Sequence, residues 1–255
     1  MANHAQQPRA NGSAPTDRPS RESLAAGAAS AGTVNRNVAG RRVVHPVQGF
    51  GRMWQKTYRI RLVSTDLSPD EVVQIWKARF ARLWPKKNWF YGSLEGIKAG
   101  DVVPLHLNLG GVHVSTEVLV PYADDTSFMV MTPEGQQFGG FNTFSARRDG
   151  DEVVAEITAL VRASDPLFEL GVAVGVVHWL EDRFWRHVLR GLAAEVGVAD
   201  PPPVELRRVV ADHRRQWRRW SNVRHNAVLR SAAYATRSPW RWLTARPPAR
   251  ARGPG

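Results

Sequence analysis

The longest apolar pattern in this chain runs from Ser164 to Val198 and predicts a helix. Asp165 can cap the free amides of the first turn, and Pro166 suits the first helical position. Gly197 suits the residue just past a helix end. Three- and four-residue spacing places on one stripe Ala173, Val177, Leu180, Phe184, Val188 and Leu192. Because residues 170–180 are apolar almost all round, we expect other elements to enclose this half.

The preceding residues alternate between apolar and polar positions, which predicts strands around one earlier helix. A first strand is predicted over Lys56–Ser64, and a capping box at Ser68 and Glu71 then begins a helix that ends before Pro85. The buried face of that helix carries Val72, Trp76, Phe80 and Leu83. Six further strands, separated by short turns, are predicted over Trp89–Leu94, Val102–Leu109, Val112–Pro121, Ser127–Thr132, Phe138–Arg147 and Glu152–Arg162.

Connections this short allow only antiparallel neighbours, since a parallel return needs a crossover of a dozen or more residues. A sheet with one apolar face must be covered, and the closing helix is the available cover. The sequence therefore predicts an α+β fold of the helix-grip type. In it, a curved antiparallel sheet of about seven strands wraps around a long C-terminal helix.

This element order resembles the START-like or Bet v 1-like superfamily, also called the polyketide cyclase/dehydrase and lipid-transport superfamily (SRPBCC). The likeness covers residues 47–198, which we interpret as one helix-grip domain. Three motifs look like those of bacterial proteins of the DUF1990 type, namely Thr132-Pro133-Glu134-Gly135, Asp165-Pro166-Leu167 and Glu181-Asp182-Arg183-Phe184-Trp185. The resemblance implies an apolar cavity for a lipid, sterol or polyketide, and it implies no catalytic residue set.

Small residues on the facing walls would leave such a cavity open, and larger ones would line it. The wall-thinning positions are Gly139, Gly140, Ala155, Ala159, Gly171 and Gly175. The expected ligand contacts are Trp89, Tyr91, Phe128, Phe141 and Trp179, with His106 or His178 as a polar anchor. Each of these positions can also be read as plain core packing. We expect a protein that binds a small hydrophobic, lipid- or polyketide-like molecule.

A cyclase/aromatase- or hydrolase-type enzyme using the same cavity is the alternative. A general acid–base pair such as His106 with Tyr122 would serve it, although the spacing does not single this pair out. His178 and Asp182 lie one helical turn apart and could form one edge of a metal site, but a third ligand is not evident. The chain has no cysteine. The sequence thus predicts neither a metal nor a cofactor and favours binding over catalysis.

The two ends of the chain differ from this core in composition. Residues 1–46 are rich in Ala, Gly, Ser and Asn and predict a disordered arm. In residues 201–255, 13 arginines against 2 carboxylates give a net charge of +11, out of +12 for the whole chain. Helical spacing in the extension 199–255 predicts a partly helical segment carrying Leu206, Val210, His213, Trp217, Trp220 and Ala227.

An Arg- and Trp-rich extension is typical of contact with an anionic membrane surface, and less so of contact with nucleic acid. The contacts would come from Arg214, Arg215, Trp217, Arg218, Arg219 and Trp220. A solvated tail without a partner is the remaining interpretation. Because the chain shows no membrane-spanning run and no signal-peptide pattern, we expect a cytoplasmic location, either free or peripheral to the membrane. The sequence does not predict an oligomeric state.

Overall fold

The computed structural model describes residues 44–63, 65–93, 96–109 and 112–233. Most of the predicted N-terminal arm, and Trp240 and Trp242 of the extension, lie outside these residues. The described chain forms an α+β fold with one antiparallel sheet in the order β2-β3-β4-β5-β6-β7-β1-β8. Its strands are β1 (Met53–Leu62), β2 (Trp89–Phe90), β3 (Val102–Leu109), β4 (Val112–Ala123), β5 (Ser127–Met131), β6 (Phe138–Asp149), β7 (Glu152–Ala163) and β8 (Glu205–Asp212).

Three α-helices accompany the sheet, namely α1 (Pro69–Arg79), α2 (Pro166–Ala173) and α3 (Val176–Glu195). Short 3-10 turns cover Pro46–Gln48, Phe80–Leu83 and Trp217–His225. The predicted capping box at the start of α1 is confirmed, because the Ser68 amide donates to Glu71 Oε2 at 2.7 Å and the Glu71 amide donates to Ser68 Oγ at 3.3 Å. Among the described helices, none has the length and apolarity required to cross a bilayer.

The inner face of the sheet packs against α1, the turn that follows it and α3. Its centre is a cluster of aromatic rings in which Phe128 stacks on Phe144 with the centroids 4.6 Å apart. Trp76 and Phe80 meet both of these rings edge-on. All four side chains are at most 1% exposed. The predicted helix-grip arrangement is therefore confirmed, with eight strands instead of seven.

The final helix is interrupted, which the sequence pattern did not predict. Its start is as expected, since Asp165 Oδ1 accepts bonds from the amides of Leu167 and Phe168 at 2.9 and 3.0 Å. The helix breaks at Gly175, whose φ of 82° lies in the left-handed region that favours glycine. The two halves, α2 and α3, therefore do not share one continuous buried stripe.

The expectation that residues 170–180 are enclosed is wrong. The exposed side chains of this stretch are Leu170 (61%), Val174 (66%), Val176 (54%) and Trp179 (59%). On α3 the buried face consists of His178, Asp182, Trp185, Val188, Leu189, Leu192 and Ala193. It is rotated relative to the predicted stripe because two polar residues, His178 and Asp182, face the sheet. The reason for their inward orientation lies in the buried charges described below.

The helical prediction for the start of the basic extension is also wrong. Residues 205–212 form β8, an edge strand that pairs antiparallel with β1. Arg162, which is 1% exposed, donates to Asp212 Oδ2 and to the carbonyl oxygens of Gly51 and Arg214. Farther along, buried Asn226 donates to Asp165 Oδ2 at 2.7 Å. The described part of the extension is therefore built into the sheet and the base of α2.

Candidate ligand cavity between the sheet and α3

A cavity of about 1440 Å³, open to solvent, lies between the inner face of the sheet and α3. Most of its wall is apolar, and the strands and the segments beside them contribute Phe80, Phe90, Leu105, Leu107, Val118, Val130, Phe138, Val161 and Phe168. From α3 it receives residues 177–187 and Arg190. The rim carries the exposed cations Lys86, Lys87, Arg183, Arg186 and Arg190.

A row of polar residues crosses the inner face of the sheet beside this cavity. The strand registers place Asn142 of β6, Ala159 of β7, Lys56 of β1 and Arg208 of β8 side by side. On each strand the residue two positions away packs in or against the main core (Tyr58, Phe144, Ile157 and Leu206), so all four face α3. Lys56 and Asn142 are 0% and 9% exposed. This row separates the main apolar core from a smaller apolar cluster around Phe168.

Two carboxylates of α3 balance the two cations of this row. Lys56 Nζ forms an ion pair with Glu181 Oε2 and lies 3.9 Å from Asp182 Oδ1. Arg208 Nη2 donates to Asp182 Oδ2 at 2.7 Å. Tyr58 Oη donates to Asp182 Oδ1 at 2.8 Å. A buried charge without a partner costs roughly several kcal/mol. Because only one orientation of α3 pairs these charges, the network fixes which face of the helix packs against the sheet.

His178 stands out in this environment because its ring nitrogens have no partner. The side chain is 6% exposed, lines the cavity and meets the Trp54 ring edge-on at 4.7 Å. Neither Nδ1 nor Nε2 makes a hydrogen bond. Burial, together with the nearby charges of Lys56 and Arg208, lowers the pKa of His178 to about 4. The imidazole is therefore neutral at pH 7 and offers one donor and one acceptor.

Two further residues of the cavity wall carry a buried atom that makes no hydrogen bond, namely Asn142 with Oδ1 and Trp84 with Nε1. A buried polar atom without a partner costs about 1–3 kcal/mol relative to one that is satisfied. Such atoms are uncommon in folded proteins, and each of these three residues contacts the same cavity. The cavity thus combines a large apolar wall with a few buried polar side chains.

The polar groups are better suited to hydrogen bonding than to proton transfer. A histidine with a pKa near 4 is a weak base at neutral pH. Burial and the neighbouring charges of Glu181 and Asp182 raise the pKa of Tyr58 far above its ordinary value, so the phenol does not ionise either. Asp182 is already bound to Tyr58 and Arg208, and the adjacent cations disfavour a metal ion at the His178–Asp182 edge.

Only two of the seven predicted ligand contacts, His178 and Trp179, line this cavity. Trp89, Tyr91 and His106 lie together on the outer face of the sheet, where Tyr91 Oη and His106 Nδ1 are 3.4 Å apart. Strand alternation explains this position, since Val103, Leu105 and Leu107 of the same strand face inward. The acid–base pair proposed for His106 and Tyr122 receives no support, because Tyr122 instead lies beside Ser127.

The other two predicted contacts are also outside the cavity. Phe128 is completely buried in the aromatic core, and Phe141 lies on the outer face near His45 at 6.2 Å. Two of the glycines expected to thin the wall instead allow close packing. A Cβ at Gly140 would lie 2.2 Å from the Leu160 carbonyl oxygen, and one at Gly171 would lie 2.7 Å from a Val177 methyl group.

Sequence reasoning missed Asn142, Lys56, Glu181 and Arg208, although a signal for one of them was present. Tyr58 and Ile60 are apolar positions that alternate with polar ones in the predicted first strand, and the same alternation extends their face to Lys56. Arg208 could not be found in this way, because helical spacing hid the strand that carries it.

Comparison with known proteins concerns the fold. No family model matches the chain, and no curated protein matches it by sequence. A START superfamily protein from Mycobacterium smegmatis is 18% identical, with a TM-score of 0.39 over 57% of this chain and 97% of its own. An aromatase/cyclase from Streptomyces sp. R1128 is 15% identical, with a TM-score of 0.39 over 56% of this chain and 93% of its own. The ginseng major latex-like protein 151 from Panax ginseng is 13% identical, with a TM-score of 0.33 over 52% of this chain and 99% of its own.

This structure is thus similar to those of START and Bet v 1-like proteins. The helix-grip assignment itself stands on the element order and sheet topology described above. The narrower resemblance to DUF1990-type proteins stays a prediction.

Proposed function

We propose that this protein binds a small, mainly hydrophobic molecule in the cavity between the sheet and α3. The observation that carries the proposal is the cavity itself, with its apolar wall and its three residues with unsatisfied polar atoms. Pockets for small molecules usually occupy about 300–1,000 Å³, so a volume of about 1440 Å³ leaves room for a lipid- or polyketide-sized ligand.

The energetics favour such an occupant. Each apolar Å² that a ligand removes from water is worth about 25 cal/mol, so 200 Å² contributes on the order of 5 kcal/mol before the costs of association. A catalytic role in the same cavity is less well supported, because burial lowers the pKa of His178 to about 4 and Asp182 is already bound to Tyr58 and Arg208.

The direct experiment is organic extraction of the purified full chain, followed by mass spectrometry. We expect a co-purified apolar molecule in stoichiometric or substoichiometric amount, absent from a control protein purified in parallel. An empty extract, together with no saturable uptake of an environment-sensitive apolar dye, would contradict the proposal. Both results are needed because a weak ligand can be lost during purification.

A second candidate function is association with an anionic membrane, and it rests on a different surface. Trp217 and Trp220 are 71% and 64% exposed, and Arg218 and Arg219 beside them are also exposed. Their segment packs against α2, which exposes Leu167 and Leu170. No carboxylate occurs between residues 217 and 230. Exposed tryptophans beside uncompensated arginines are what the boundary of an anionic bilayer accommodates.

Vesicle sedimentation tests this second function. The full chain should bind vesicles of phosphatidylcholine with phosphatidylglycerol more strongly than vesicles of phosphatidylcholine alone, and Trp217→Ser with Trp220→Ser should reduce that binding. Trp89→Ser is the matched control, because Trp89 is also exposed (47%) but lies on β2, at the sheet edge opposite to β8. Equal binding to both vesicle types, or binding to duplex DNA alone, would contradict it.

A further inference from the structure

The C-terminal extension contributes Val228 to the wall of the cavity. This side chain lines the cavity and packs against the smaller apolar cluster around Phe168. The polar row of the sheet separates that cluster from the main core, and its members Phe138, Val161 and Phe168 also line the cavity. The space therefore continues past the polar row and ends among apolar residues, one of which belongs to the extension.

The cavity is elongated along α3. The residues of this helix that line it extend from Val177 to Arg190, which corresponds to about 20 Å along the helix axis. Val177 and Val228 pack against the same small cluster, so they mark the same end of the cavity. That end is apolar, and a ligand that enters from the opposite end meets it last.

The opposite end carries the cationic rim. The rings of Trp84 and Phe184 lie 5.0 Å apart, which places the segment after α1 beside the second half of α3. The exposed cations of this region are Lys86, Lys87, Arg186 and Arg190. A polar head group can stay hydrated among them, whereas an apolar tail gains by leaving water for the cavity. A bound amphiphile would therefore direct its tail towards Val228.

Hydrogen bonds of neighbouring residues hold Val228 in position. Asn226 donates to Asp165 Oδ2 at 2.7 Å, and its own Oδ1 accepts from the Val228 amide at 2.9 Å. The Ala227 amide donates to the Gly135 carbonyl oxygen at 2.8 Å. Asn226 and Ala227 are 0% and 3% exposed. The segment that carries Val228 is thus fixed to the domain, so this side chain can act as a rigid wall.

We propose that Val228 limits the length of the ligand, because it forms the end wall at which the apolar tail stops. This inference rests on the proposed hydrophobic-ligand function and adds a residue of the extension that determines specificity. An extended hydrocarbon tail advances about 1.2 Å per bond, so sixteen carbons span about 18 Å and eight carbons about 8 Å. The longer tail nearly fills the length of the cavity along α3, whereas the shorter one does not reach the end wall.

The test measures how saturated fatty acids of eight, sixteen and twenty carbons displace anilinonaphthalene sulfonate from the full-length protein. Val228→Trp should weaken binding of the sixteen-carbon acid about tenfold, which corresponds to the exclusion of about two methylene groups, and change that of the eight-carbon acid less than about threefold. Val228→Ala should bind the twenty-carbon acid about threefold more tightly than the unmodified protein does. Leu229→Trp is the matched control, because Leu229 is 46% exposed on the same segment and should leave all three affinities unchanged.

The outcomes separate this inference from the proposed function. Equal losses for all three acids in Val228→Trp, or unchanged affinities in both Val228 variants, would overturn the role of Val228 and leave the cavity standing. Dye binding without displacement by any acid would do the same. A protein that binds neither dye nor acid would overturn both. If Val228→Trp does not fold, Val228→Ala decides alone, because it removes atoms instead of adding them.

Discussion

His178 is uncharged inside this protein, and its burial makes stability depend on pH. In the unfolded chain the imidazole binds a proton below about pH 6.5, whereas in the folded protein it does so only near pH 4. The unfolded state therefore binds more protons between these values, and stability falls as the pH drops through this window. His178 alone contributes up to about 3 kcal/mol to that loss.

Substituting His178→Phe should remove this dependence, because phenylalanine does not titrate and fills a similar volume. We expect urea unfolding at pH 7 and pH 4.5 to show a smaller difference in the free energy of unfolding for the variant than for the unmodified chain. His106→Phe is the control, since His106 lies on the outer face. The same pH dependence in both variants would show that His178 is not the buried neutral group described here.

Lys56 is a completely buried cation, so its removal should carry a large penalty. Lys56→Met leaves Glu181 without its ion-pair partner in a buried environment, so we expect a loss of about 3–5 kcal/mol in the free energy of unfolding. Lys86→Met changes an exposed lysine on the cavity rim and should stay within about 0.5 kcal/mol. Urea denaturation of both variants measures the difference, and similar losses would mean that the charge network is not structural.

Gly175 and Gly140 are required for different reasons, the first by its backbone angle and the second mainly by close packing. At Gly175 the positive φ breaks the helix but an added Cβ meets nothing within 4 Å, so Gly175→Ala should cost only about 1 kcal/mol. At Gly140 the φ of 152° is combined with a Cβ position 2.2 Å from the Leu160 carbonyl, so Gly140→Ala should cost about 3 kcal/mol. Thermal unfolding ranks the two, and a larger effect at Gly175 would contradict this account.

The elements differ in how far sequence patterns predict them. Strands β3 and β4 and the start of α1 were predicted to within two residues, because turn residues and a capping box bound them. The orientation of α3 could not be predicted from apolar spacing, since Asp182 faces inward to pair with cations on distant strands. Strand β8 was predicted as a helix because the partner of a polar residue such as Arg208, Asp182 of α3, is known only from the folded structure.

The candidate site was likewise predictable only where a local sequence signal exists. The presence of a cavity followed from the fold class, while its lining depends on which strand face turns inward. His178 was correctly expected at the cavity because it belongs to the closing helix. His106 was expected there too, but it lies between the inward-facing Leu105 and Leu107 of β3 and therefore faces outward. Asn142 carries no local signal at all, since its role depends on the register of three neighbouring strands.

At the scale of the whole molecule, the extension and the domain stabilise each other. Residues 199–233 provide the edge strand β8, the Arg208 partner of Asp182 and the Asn226 partner of Asp165. A chain that ends at Val198 would lose the Arg208 partner of Asp182, the Asn226 partner of Asp165 and two of the three acceptors of Arg162. We expect it to aggregate or to lose its cooperative thermal transition, as followed by circular dichroism. A stable, cooperative truncated chain would show that the extension is an independent tail.

The central claim is that the space between the sheet and α3 is a binding cavity. Titration with an apolar fluorescent dye tests this claim. The variant Val130→Phe places a larger side chain in the cavity, and the control Val209→Phe changes an exposed residue of β8. We predict saturable binding by the unmodified chain and by Val209→Phe, with at least about tenfold weaker binding by Val130→Phe. Equal dye affinity in all three proteins would place the dye elsewhere and contradict the account.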